Sequence, residues 1–206
     1  MRGRLLGPSK LNADSEGDAN ADRKGASRLF TFAAISCLTV PLYYANLLLP
    51  RTTYDPWVIV CSLIGETIAC STLVSAFRNL AERDRQTFRN PYVLSFFMVF
   101  GFPLVLTAYL ILFATTSSPV STNTGAMIHQ LAYALVGVAA IVIGIVVVFV
   151  GALGAAQGLW RVGERYNSNA LKLGSVLLVI PYVNTLSVLL LLFGTAKVRR
   201  QLQNPS

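Results

Sequence analysis

AMIHQLAYALVGVAAIVIGIVVVFVGALGAAQGL, residues 126–159, is the stretch whose reading decides the fold. Its thirty-four residues include no Asp, Glu, Lys or Arg, and Gly137, Gly144, Gly151 and Gly158 recur at intervals of seven. A hydrocarbon core about 30 Å thick takes roughly 20 apolar residues to cross as a helix, so this stretch can span a membrane. An interval of seven returns to nearly the same helix face. One face is therefore glycine, with Gly154 added near its end. Between lipid-immersed helices no hydrophobic effect favours association, and small residues that let backbones approach mark a packing seam. The stretch is expected to be the central helix of a bundle, packing within the chain or against a partner.

Composition agrees with that reading. Hydrophobic residues make up 54% of 206 and charged ones 13%, against about 25% charged in a soluble domain. The expected fold is all-α: a polytopic transmembrane helix bundle of about five segments, near 29–49, 57–77, 92–113, 128–157 and 174–196. They form one domain, 29–200, between a disordered tail over 1–28 and a short tail over 201–206. The tail before Leu29 is polar and lacks apolar periodicity. The first apolar run is of full span length and begins too late for a cleaved leader, so it reads as an anchor. Pro41 is expected to kink segment one, Trp57 to sit at an interface, and Asn90-Pro91 to start segment three as N-cap and first helical residue.

The formal charge of +8 would suggest nucleic acid in a soluble protein, but here the basic residues flank apolar segments. The positive-inside rule accounts for them, and no nucleic acid is expected. Six Lys or Arg precede segment one, four follow segment two and three precede segment five; one follows segment one and none follows segment three. The count puts the N-terminus in the cytoplasm of a multi-pass protein of the cell membrane. Lys197, Arg199 and Arg200 break the alternation if segment five crosses completely. A simple fifth span is the expectation; the alternative is a re-entrant pair of half-helices turning at Pro181 to Asn184. The lipid bilayer is the partner composition implies, with other membrane subunits or self-association left open.

Few residues suggest chemistry. Cys37, Cys61 and Cys70 lie in apolar segments without metal-site or disulfide spacing, and the single histidine, His129, begins segment four. No cofactor or metal is expected. No Walker, dinucleotide or HExxH pattern appears, and no enzyme class is supported. Glu66, near the middle of segment two, is the exception. An ionisable group at that depth costs about 3 kcal/mol on insertion scales and is by default a functional candidate. The plainer alternative is a hydrogen bond across helices, to Asn184 or Asn46, that serves packing alone. Asn184 with Pro181 is the second candidate, because proline frees a carbonyl and broken helices coordinate ions in transporters.

The C-terminal quarter carries a resemblance: Gly158-Leu-Trp-Arg-Val-Gly-Glu-Arg-Tyr-Asn167, then Leu173-Gly174, Ile180-Pro181, Asn184 and Gly194 before a basic end. Over about the last 45 residues the chain resembles an uncharacterised archaeal family of small multi-pass membrane proteins. The resemblance implies an archaeal cell membrane and no known activity. Two functions follow from the residues: a structural or accessory component of a membrane assembly, which leads, and a small proton- or cation-conducting transporter or channel using Glu66.

Overall fold

The computed structural model describes residues 8–48, 55–117, 124–180 and 183–203, and among these it holds six helices and no strand. They are α1 (Pro8–Leu48), α2 (Pro56–Arg83), α3 (Arg85–Ser117), α4 (Thr124–Arg165), α5 (Asn169–Leu177) and α6 (Asn184–Gln203). Each packs on its neighbours in sequence, and α6 returns to α1, which closes a ring. Four are long and apolar enough to cross a membrane: α1 over Asn20–Asn46, and α2, α3 and α4.

The fifth expected span is instead divided. Residues 174–196 end α5 and begin α6, and the two arms lie antiparallel, Gly174 against Leu191 and Gly194 against Leu171. A Cβ on Gly194 would come 2.9 Å from the Leu171 amide nitrogen, so the arms approach at backbone distance. Ser187 Oγ donates to Gly174 O at 2.6 Å and ties them. Both arms point to one end of the bundle, because α5 follows α4 there and Arg23 Nε, on α1, donates to Leu202 O of α6 at 3.0 Å. The segment is thus two antiparallel half-length helices, the arrangement of a re-entrant pair, rather than one long helix. Pro181 lies outside the described residues.

Three other expectations change. Residues 8–28, expected as a disordered tail, are the first half of α1. Asp22, Ala26, Leu29 and Ala33 are all buried along one stripe, but its first member is charged, so no apolar period marks where packing begins. Residues 201–203, assigned to the short C-terminal tail, continue α6. Asn90-Pro91 does not start α3; Pro91 is inside it. The break is at Asp84, which accepts from the Thr87 amide at 3.1 Å and caps the new helix. The Thr87 hydroxyl and amide hold the Asp84 carboxyl below the usual carboxylate range.

The glycine-bearing α4 is at the edge of the bundle, not its centre. Val138, Ile145, Val146 and Leu153 are among many large apolar side chains on its exposed faces. Its glycines face inward. Added Cβ atoms would strike Leu112 from Gly137 and Val105 from Gly144, at 2.8 and 2.6 Å, and would collide with Met98 from Gly151 and Leu94 from Gly154, all on α3. Gly158 lies against the Phe77 ring of α2. The fully buried core, with Phe32, Leu73, Phe77, Phe88, Leu159, Leu171 and Leu191, fills the half of the ring where the hairpin completes it.

Candidate intramembrane polar site

Glu66 projects from α2 toward α1. Gly65 precedes it, and a Cβ there would collide with the Thr39 side chain, so α1 and α2 come close at this level. That approach puts the Thr39 hydroxyl in hydrogen-bond contact with Glu66 Oε1, while Ser36 Oγ donates to Oε2 at 3.2 Å. Thr39 Oγ1 also lies 3.1 Å from Ile35 O. A hydroxyl has one donor and two acceptor positions. Thr39 can therefore donate to a carboxylate, or donate to its own helix while accepting from a carboxylic acid. The site can serve either protonation state, and among the described residues no ion pair holds Glu66.

Glu66 is also one wall of a cavity of about 290 Å³. Phe32, Ser36 and Val40 of α1, Ser62 and Leu63 of α2, Met98 and Phe102 of α3, and Val148 and Ala152 of α4 surround it. Leu178, Val179, Asn184 and Val188, at the hairpin tip and the start of α6, also line it. Glu66 and Asn184, the two polar candidates read from sequence, thus line one cavity. They do not hydrogen-bond each other; Asn184 Oδ1 is buried and has no partner among the described residues. Asn46 is engaged elsewhere, donating to Asp55 O at 2.8 Å and accepting from Asp55 N at 3.2 Å. Cys70 is buried, Cys37 half-buried and Cys61 exposed. Ser36 and Thr39 were missed by sequence reasoning. Their signal was two hydroxyls spaced three apart in segment one, the same helical face.

A second polar cluster lies at the hairpin's base. Asp22, 3% exposed, is bound by the Arg83 guanidinium and lies 3.5 Å from Arg165 Nη2, so one carboxylate joins α1, α2 and α4. The Gly163-Glu164-Arg165-Tyr166-Asn167 segment supplies the turn that follows. Ser168 N donates to Gly163 O at 2.8 Å and Asn167 N to Glu164 O at 3.3 Å, with Asn167 at φ 49. This is a Schellman end with asparagine in the left-handed position. Ser168 then caps α5. Burial first, then the Asp22 carboxylate, push the Tyr166 phenol from 10.0 up to about 12.

The model of a family described as "Protein of unknown function (DUF973)" matches residues 50–206. The chain belongs to this family. The DUF973 match takes in α2 to α6 with both polar candidates, a wider extent than the last 45 residues that carried the resemblance. No curated protein and no solved structure is found to match the chain. The DUF973 match therefore adds a family without adding an activity.

Proposed function

We propose that this membrane protein is a small carrier or channel that admits a proton or a cation to the Glu66 cavity. The observation that carries the reading is that Glu66 and Asn184, distant in sequence, line one cavity next to a re-entrant hairpin. Broken elements at mid-membrane depth are where transporters place their ion and substrate sites. The accessory-component reading had the glycine face of α4 pack within the chain or against a partner, and α3 of the same chain occupies that face, so it offers no surface for a partner there. The positive-inside rule favours a cytoplasmic hairpin base, since Arg23, Arg83, Arg165 and the basic end of α6 gather there. An archaeal cell membrane is the setting that the C-terminal resemblance implies.

Reconstitution into proteoliposomes tests the reading. Under an imposed gradient, wild-type protein should pass protons or a monovalent cation, and Glu66→Gln should lose most of that flux while unfolding at the same temperature in detergent. Wild-type vesicles as tight as empty ones to protons and to Na⁺ and K⁺ would overturn the proposal.

A further inference from the structure

The cavity is bounded on the hairpin side but not evenly around its circumference. From Ser36 to Tyr43 α1 advances about 10 Å, away from the hairpin base, and Tyr43 and Tyr44 still line the cavity there. On α4, Ile145 and Phe149 line it too. Those two residues are 57% and 48% exposed. A residue that both lines a cavity and is half exposed to lipid forms a mouth. The ring explains its position. α5 and α6 stand between α4 and α1 at the hairpin base, but the hairpin ends near Asn184, and beyond it no helix of the described residues stands between α1 and α4.

The mouth selects by chemistry. Tyr43, Tyr44, Ile145 and Phe149 bring no charge to it, and a bare inorganic ion in hydrocarbon contact would bear its whole desolvation cost. A molecule already dissolved in the bilayer bears none for its tail. Inside, the polar groups are acceptors first: the Glu66 carboxyl and Asn184 Oδ1, which has no partner among the described residues, with the Ser36 and Ser62 hydroxyls beside them. An ionised carboxylate only accepts, and an ammonium head only donates. At about 290 Å³ the cavity is at the lower end of small-molecule sites, which run from about 300 Å³ upward. A head and the first part of one chain fit it, with the remaining chain in the mouth.

We infer that the cavity binds a single-chain amphiphile with a primary ammonium head, which enters sideways from the bilayer between α1 and α4 and donates to Glu66 and Asn184. This rests on the Glu66 cavity being the functional site.

A photoreactive long-chain alkylamine, applied to the full-length protein in lipid nanodiscs, tests the inference when labelled peptides are mapped. Labelling should concentrate on the peptides holding Tyr43-Tyr44 and Ile145 to Phe149. Unlabelled dodecylamine should compete at least tenfold better than dodecyl sulfate or a short-chain amine. Glu66→Gln should weaken labelling at least tenfold. Ile145→Trp, which fills the mouth, should weaken it as well, whereas Val146→Trp, on the neighbouring lipid face, should not. Labelling spread over all exposed faces, or unchanged in Glu66→Gln, would overturn the inference. If Glu66-dependent proton flux is present without mapped labelling, the amphiphile is wrong and the carrier reading stands; if both are absent, both fall.

Discussion

The Arg161 guanidinium of α4 donates to the carbonyl oxygen of Thr87 on α3. That oxygen is four residues before Pro91, which sits inside α3 and has no N–H to return to it. The arginine therefore supplies the donor that proline removed, and joins two helices in doing so. Arg161→Ala should lower stability by about 1.5–3 kcal/mol, the range for a hydrogen bond to a charged group. The same substitution in a Pro91→Ala background should cost distinctly less, because alanine restores the helical amide. Thermal unfolding of the four proteins in detergent measures this; strictly additive losses would show that Thr87 O is not the shared partner.

If the α5–α6 hairpin turns back within the bilayer, the number of crossings is even. With native cysteines removed, Gln86→Cys and Gln201→Cys should both react with a membrane-impermeant maleimide from one side of sealed vesicles, and Ser117→Cys from the other. All three positions are exposed. Reaction of Gln201→Cys from the side opposite Gln86→Cys would restore a complete fifth span.

How much was legible in the sequence depended on which signal each element used. Hydropathy marked α2, α3 and α4, because apolar runs of about 20 residues with at most one charge are what a membrane crossing needs. The first half of α1 escaped because its packed stripe starts with Asp22, whose ion pairs replace apolar contact. Hydropathy also cannot separate a helix that crosses from two half-helices that turn back, since each buries the same residues. The anomaly at Lys197, Arg199 and Arg200 did carry that information: folding α6 back puts its end beside Arg23. At the site, Glu66 and Asn184 were visible as polar residues in apolar surroundings. Ser36 and Thr39 were not, because hydroxyls in membrane helices ordinarily bond their own backbone, as Thr67 does to Leu63 O at 2.8 Å.

Gly144 sits where α3 and α4 touch at backbone distance, with Gly101 O 3.5 Å from the place a Gly144 Cβ would take. An added Cβ would come 2.6 Å from Val105 Cγ2 and 3.2 Å from Val105 N, so neighbouring backbone would have to give. Gly144→Ala should cost about 1–3 kcal/mol from overpacking, and Gly144→Leu more. Val146, 57% exposed, should accept leucine without measurable loss. Equal unfolding temperatures for Gly144→Leu and Val146→Leu in detergent would remove the close contact from the account.

Tyr166 makes stability depend on alkaline pH. Its phenol titrates at about 12 in the folded chain against 10.0 as the ordinary value, with burial the larger cause and the Asp22 carboxylate the next. Both disfavour the phenolate, so the folded state holds the proton more tightly than the unfolded one. The resulting stabilisation is fully present below pH 10 and falls as pH rises from there toward 12. Wild type should therefore lose unfolding temperature across that window faster than Tyr166→Phe, which has no proton to release, while the two should run parallel near neutrality. Tyrosinate absorbance should show the matching difference, with wild type gaining late-ionising signal that Tyr166→Phe lacks. Parallel melting curves for the two proteins through the whole alkaline range would mean that the ring is open to water, and that Asp22 acts on Arg83 and Arg165 alone.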